Sequence, residues 1–201
     1  MRKINWRLTA AVLLAVAMSV GTVSARQTGM FTDSRDKQTY KTVKIGKQTW
    51  TAENLNYKTG NSWCFGNKDS NCKKYGRLYD WNTAKTACPS GWHLPTRAEW
   101  NGLVAAAGDD AAGKALKSKS GWDEDGNGTD AFGFSALPGG YRYYTGGSFG
   151  DVGKFGGWWT ATENGNKGVY ERGMYSEEDG VNEDDSFDKG FGVSVRCLQD
   201  N

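Results

Sequence analysis

The chain has 201 residues, with 25 Lys and Arg against 23 Asp and Glu and a single His, a formal net charge of +2 at pH 7. That balance weakens the case for nucleic-acid binding, which needs a concentrated basic face, and no nucleic-acid partner is expected. Twenty-eight Gly against three Pro suits a fold of many tight turns rather than a disordered linker.

Arg2, Lys3 and Arg7 precede an apolar run from Leu8 to Val20, which ends in Gly21-Thr22-Val23-Ser24-Ala25. A positive start, a short apolar stretch and small residues at Val23 and Ala25 predict a cleavable signal peptide over residues 1–25. The run of 13 residues is too short for a spanning helix, which needs about 20. Position 26 is Arg rather than Cys, so no thiol is offered for lipid attachment there. Cleavage removes three basic residues and no acidic one, leaving 22 against 23, a net charge of −1 on 176 residues. The expected product lies in the periplasm, on the cell surface or outside the cell, with no transmembrane segment. Its length suits one domain with a real core, assigned to residues 33–201. Residues 26–32, small and polar at a new N-terminus, are expected to lack order.

Residues 38–45 carry Tyr40, Val43 and Ile45 in rough alternation, and Gly46-Lys47 turns the chain into Gln48–Ala52. This predicts an opening β-hairpin. Leu78 to Ala87 places Leu78, Trp81 and Ala84 at helical spacing and stops at Cys88-Pro89-Ser90-Gly91, which cannot continue a helix. Thr96 and Glu99 form a capping box ahead of Trp100, Leu103 and Val104, with Gly108 as the terminator, a strong helix signature. A third short helix is predicted over Ala111–Lys117. From Gly121 onward short strands alternate with Gly-rich turns, at Phe132–Leu137, Gly140–Tyr144, Gly157–Ala161 and Gly192–Leu198. Two to three short helices followed by strands predict an α+β fold, the helices packed on a Gly-rich antiparallel β-sheet.

Cys64, Cys72, Cys88 and Cys197, an even number in an exported chain, read as two disulfides with three connectivities open. Cys64 and Cys72 flank a polar stretch that can close locally, which leaves Cys88 for Cys197. Spacings of 8, 16 and 109 lack the paired rhythm of a zinc site.

Six segments together resemble the Fibrobacter succinogenes major paralogous domain. They are Asp33–Tyr57, Tyr75–Trp81, Ala87–Thr96 with its Cys-Pro-Ser-Gly-Trp-His-Leu-Pro-Thr, Gly133–Arg142, Trp158–Asn164 and Val193–Cys197. The resemblance runs over roughly residues 33–199. It implies an exported protein of a family expanded in multiple copies, and it assigns no activity. More distantly, His93-Leu-Pro-Thr-Arg-Ala-Glu-Trp100 resembles a segment of the formylglycine-generating-enzyme and sulfatase-modifying-factor group. The order of helix, Cys, helix, sheet and Cys-bearing terminal strand resembles C-type-lectin-like domains, in which the first helix is disulfide-linked to the last strand. That likeness implies a disulfide-stapled C-type-lectin-like fold and the Cys88–Cys197 pairing, but fold does not imply function.

Catalysis finds little support in the residues. His93, the only histidine, sits in a packing motif with no nucleophile elbow or free Cys beside it. No carboxylate pair stands out for glycoside hydrolysis, and formylglycine-type oxidation would need free cysteines late in the chain. Asp123, Asp125, Asn127 and Asp130 match the first half of a calcium loop, but Phe134 stands where the closing Glu should be. Two readings are open there: a Ca²⁺ site completed from elsewhere in the fold, or an Asx-rich turn. Glu177, Glu178, Asp179, Glu183, Asp184, Asp185 and Asp188 read as a solvated hairpin loop. Trp158 and Trp159 point to opposite faces of a strand, so one can be core while the other is exposed. With Tyr141, Arg142, Tyr143, Tyr144, Glu163 and Asn164 nearby, two readings are open: an aromatic platform for sugar rings, or a Trp pair buried on both faces beneath a long loop. The expected function is an exported, non-catalytic binding or adhesion module for a polysaccharide or cell-surface glycan. The alternatives are a degenerate relative of the sulfatase-modifying enzymes and a purely structural surface protein.

Overall fold

The structure, a computed structural model, describes residues 26–166 and 168–201; the signal peptide expected at 1–25 lies outside the described residues. In chain order the strands are β1 (Gln27–Thr32), β2 (Thr39–Ile45), β3 (Gln48–Thr51), β4 (Ser62–Trp63), β5 (Leu78–Tyr79) and β6 (Trp92–His93). They continue as β7 (Tyr141–Arg142), β8 (Phe149–Gly150), β9 (Phe155–Glu163), β10 (Val169–Tyr175), β11 (Asn182–Phe187) and β12 (Leu198–Gln199). The helices are α1 (Asp69–Tyr75), α2 (Trp81–Ala87), α3 (Arg97–Ala107) and α4 (Ala112–Leu116). Among the described residues the fold is α+β, with four short α-helices and antiparallel sheets. No helix of the described residues is long and apolar enough to cross a membrane.

A five-stranded sheet runs β1-β2-β3-β12-β6, so the C-terminal strand lies in its interior. A second sheet of three strands runs β11-β10-β9, and two ribbons pair β4 with β5 and β7 with β8. The predicted opening hairpin is β2–β3, turned at Gly46 with φ 59°. Residues 27–32, expected to lack order, instead pair along their whole length with β2, from Gln27 opposite Lys44 to Thr32 opposite Thr39. Backbone pairing supplies the order there, and Arg26 pins the start by donating to the carbonyls of Asp130 and Ala131.

Local chemistry sets the helix ends. The Thr96–Glu99 capping box is present, and Gly108 closes α3 at φ 108°. Asp80 caps α2 by accepting from the Thr83 N–H, which moves Leu78 and Tyr79 out of the predicted helix and into β5. Sequence reading missed α1, because only its Cys72 and Tyr75 are buried and it shows no apolar stripe. The strand expected at 132–137 is irregular backbone held by a bridge between Ala136 and Lys117, and of the terminal strand expected at 192–198 only Leu198 lies in a regular strand, β12.

Two apolar clusters form the core. One gathers Val43, Ile45, Trp50, Trp100, Leu103, Phe134 and Trp158; the other gathers Tyr40, Leu55, Tyr79, Trp81, Leu94, Trp159, Val193 and Val195. Strand β9 lies between them and feeds one Trp to each. Arg196 is fully buried beside the first cluster. It donates from Nε to Asn54 Oδ1 (2.6 Å), from Nη1 to the carbonyls of Thr51 (2.9 Å) and Phe134 (2.6 Å), and from Nη2 to the carbonyl of Ser135 (2.9 Å).

Glu171 is the other buried charge-bearing group of note. It lies on β10 opposite Trp159 and Asp184, and its carboxyl accepts from the Trp158 N–H at 3.2 Å. Burial, reinforced by the Asp184 carboxylate, pushes its pKa well above the ordinary value. Its neighbour Arg172 pairs with Glu183 instead. A raised native pKa means that Glu171 favours folding fully only below its unfolded pKa. That contribution is lost as pH rises towards the native value, because the unfolded chain releases the proton first. Glu171→Gln is therefore expected to raise the denaturation midpoint at pH 8 more than at pH 4. Equal shifts at the two pH values in urea melts would show that the carboxyl is ionised in the native state.

Candidate ligand-binding site

The predicted tryptophan platform is not there. Trp158 and Trp159 are both fully buried, because Trp158 packs with Trp50, Trp100 and Leu103 on one face and Trp159 with Phe187, Val193 and Val195 on the other. Trp158 Nε1 donates to Asn54 Oδ1 at 2.9 Å and Trp159 Nε1 to the Tyr79 carbonyl at 2.6 Å. Neither indole is open to a sugar ring.

The calcium-like loop folds as a turn with its donors directed apart. Asn127 Oδ1 accepts from the Trp122 N–H, and the Asp130 carboxylate accepts from the N–H and hydroxyl of Ser135. Asp123 packs over Gly153, where an added Cβ would sit 2.6 Å from its carboxylate. Asp125 is exposed at φ 59°. Among the described residues no group of three or more His, Cys, Asp or Glu gathers as a metal site, and Asn127 and Asp130 are engaged as in an Asx-rich turn.

The acidic stretch is likewise more than a solvated loop: residues 182–187 form β11 against β10. Glu183 takes a bidentate contact from Arg97 and an ion pair from Arg172, and these arginines hold its carboxyl below the ordinary range. His93 bridges two carboxylates, with Nδ1 2.6 Å from Asp200 and Nε2 3.0 Å from Glu99. Glu99 also closes the α3 capping box, so His93 fastens the C-terminus to a helix end.

A different aromatic surface remains. Strands β7 and β8 form a ribbon whose turn is closed by the Tyr143 N–H on the Ser148 carbonyl, with Gly146 and Gly147 at φ 73° and 69°. The turn presents Tyr143 and Tyr144, 39% and 45% exposed, with ring centroids 5.0 Å apart and nearly parallel. Phe191 backs both, at 4.9 and 5.1 Å. It connects through Phe187 (4.7 Å) to the buried Trp159 (5.4 Å), so the exposed pair stands on a continuous aromatic column rooted in the core. Tyr141 meets Phe191 edge-on at 5.9 Å, and Arg142 lies 4.0 Å over the Trp63 ring. Gly190 lets the 188–191 segment close on this ledge, since a Cβ there would come within 2.9 Å of Tyr144.

The same segment walls an open depression of about 530 Å³, lined by Glu163, Asn166, Gly168, Ser186, Asp188 and Lys189. Glu163 and Lys189 pair across it at 2.7 Å. Lys189 thereby holds the Glu163 carboxyl below the usual range. Asn164 turns away and donates to the Asp185 carbonyl. Of the residues read as a sugar site, Tyr141, Arg142 and Glu163 thus border one surface, and Trp158 and Trp159 do not. Phe187 and Phe191 were missed, and their spacing carries no motif that would have marked them.

No curated protein and no solved structure matches the chain. The sequence model described as Fibrobacter succinogenes major domain matches residues 43–199, a span that takes in the first core, most of the second, both disulfides and the aromatic ledge. The chain belongs to the Fibrobacter succinogenes major domain family.

Proposed function

We propose that the protein is an exported, non-catalytic binding module with a C-type-lectin-like fold, and that it takes polysaccharide on the Tyr143–Tyr144 ledge. The stacked, solvent-facing tyrosine pair carries this reading. Aromatic faces gain from covering apolar sugar faces while their hydroxyls stay hydrated, and a rigid column beneath them lowers the entropic cost of binding. The adjoining depression offers carboxylates, an ammonium, an amide and a hydroxyl that suit sugar hydroxyls. The bonding of Cys197 to Cys88 supports a non-catalytic role, since formylglycine-type chemistry needs free thiols. Export is supported by the two disulfides, which persist in oxidising compartments.

Replacing Tyr143 and Tyr144 together with Ala is expected to weaken retention on the preferred glycan about tenfold, at roughly 0.5–1.5 kcal/mol per aromatic contact. Both side chains stand outside the core, so the thermal midpoint should hold. Affinity electrophoresis over a panel of plant and bacterial polysaccharides is the check. Retention of none of them, or equal retention of the double variant, would remove the proposal.

A further inference from the structure

The two disulfides differ in their surroundings. Cys197 is fully buried, and its partner Cys88 is half-buried at the end of α2. Cys64 and Cys72 are themselves only 5% and 6% exposed, but Cys72 lines two adjoining surface cavities, of about 310 and 480 Å³. Arg77 is held at this bridge: its Nε donates to Ser62 Oγ and its Nη2 to the Ser62 carbonyl, both at 3.1 Å. That clamp directs Nη1 at the sulfurs, 3.5 Å from Cys64 Sγ and 3.4 Å from Cys72 Sγ. The Asp69 carboxylate lies 3.8 Å from Cys64 Sγ. A guanidinium fixed on a neutral disulfide gains little there. Its effect appears when the bridge opens, because a nearby cation lowers the pKa of a cysteine thiol and favours the thiolate.

We propose that Cys64–Cys72 is an exchange-competent disulfide, opened in the folded protein by an external dithiol, with Arg77 stabilising the leaving thiolate. A thiolate of the dithiol attacks Cys72 Sγ from the cavity side. The S–S bond breaks, its electron pair passes to Cys64 Sγ, and a mixed disulfide forms at Cys72. The second thiol of the partner, after losing its proton to water, attacks its own sulfur in that mixed disulfide and releases Cys72 as a second thiolate within reach of Arg77. The protein disulfide is reduced to a dithiol and the partner dithiol is oxidised to a disulfide, so the electrons balance. A leaving thiol of lower pKa departs faster, and this is the step that Arg77 accelerates. The Asp69 carboxylate beside Cys64 opposes the thiolate, so the Arg77 cation, which touches both sulfurs, has to outweigh it. The substrate class is an accessible dithiol, small or on a protein, in the compartment to which the chain is exported.

Full-length mature protein is treated with dithiothreitol at pH 7.5, quenched with an alkylating reagent at set times and mapped by mass spectrometry. Cys64 and Cys72 are expected to be labelled about a hundredfold faster than Cys88 and Cys197, given the dependence of exchange on access and leaving-group pKa, with the far-ultraviolet spectrum unchanged. Arg77→Met tests the role of the cation, but it can also loosen the loop, so a second readout is needed. In a Cys72→Ser background, the alkylation rate of Cys64 against pH reports its thiol pKa. That pKa is expected below the free-cysteine value of about 8.5 and to rise on adding Arg77→Met. Labelling of all four cysteines together, only as the protein unfolds, would overturn the proposal. So would a Cys64 pKa that Arg77→Met leaves unchanged.

Discussion

Replacing Arg196 with Met is expected to lower stability by about 4 kcal/mol, summing the orphaned buried acceptors at roughly 1–3 kcal/mol each and allowing for partial relaxation. The side chain is fully buried, and it fills four acceptor sites drawn from two separate parts of the chain. Asn54 and the Thr51 carbonyl belong to the stretch around β3, while Phe134 and Ser135 belong to irregular backbone with Ser135 at φ 53°. Without the guanidinium those carbonyls face apolar surroundings, including the Phe134 ring 4.5 Å below it. Burial pulls the Arg196 pKa down to about 9 against the attraction of the Glu53 and Asp130 carboxylates, so the group is still charged at neutral pH and these bonds help to offset its desolvation cost. Met keeps the volume but supplies no donor. Lys keeps a charge but cannot spread one ammonium over acceptors arranged for a planar fork, and Arg196→Lys should lose at least as much as Arg196→Met. Urea denaturation gives the answer through the midpoint, with the m value checking that the denatured state is unchanged. A loss below about 1 kcal/mol for either variant, against that expected for an orphaned acceptor, would mean that water reaches the site.

Arg196 also illustrates what the sequence can and cannot reveal. A Val-Ser-Val-Arg-Cys run suggests alternation on a strand, yet nothing in it says that the arginine points inward to tie loops together. The α3 capping box, the Gly46 turn and both disulfide pairings were legible because each rests on chemistry within one segment or on elimination among four cysteines. Strand β11 was not, since Asn-Glu-Asp-Asp-Ser-Phe offers no apolar alternation. It is a strand because β10 pairs with it and because Arg97 and Arg172 neutralise Glu183. Trp158 and Trp159 misled for a related reason. Alternation on β9 assigns them to opposite faces, but whether the second face is covered depends on Phe187, Val193 and Val195, which lie far along the chain. The ledge shows the same limit: Tyr143 and Tyr144 are visible as aromatics, while Phe191 reaches them only through the fold.

Removing the Cys88–Cys197 bridge by a double Ala substitution is expected to cost about 4–5 kcal/mol, the chain-entropy value for a closed loop of about a hundred residues. The sequence separation is 109, against 8 for Cys64–Cys72, whose loss should cost only about 2–3 kcal/mol on the same relation. At about 2–4 °C per kcal/mol for a domain of this size, the long bridge should move the thermal midpoint by about 8–20 °C. The position of Cys197 is not set by its sulfur alone: its N–H donates to Thr51 Oγ1 at 3.1 Å, and its carbonyl accepts from the Thr51 N–H at 2.9 Å. Those bonds keep the terminal segment docked beside β3 in the native state. The effect of the bridge therefore falls mainly on the unfolded chain, where it joins the end of α2 to the final strand. Calorimetry of the two double variants against the parent separates the alternatives. A larger loss from the long loop follows if chain entropy dominates. Equal losses from the two bridges would place their contribution in native packing, and the buried Cys197 site would then account for it.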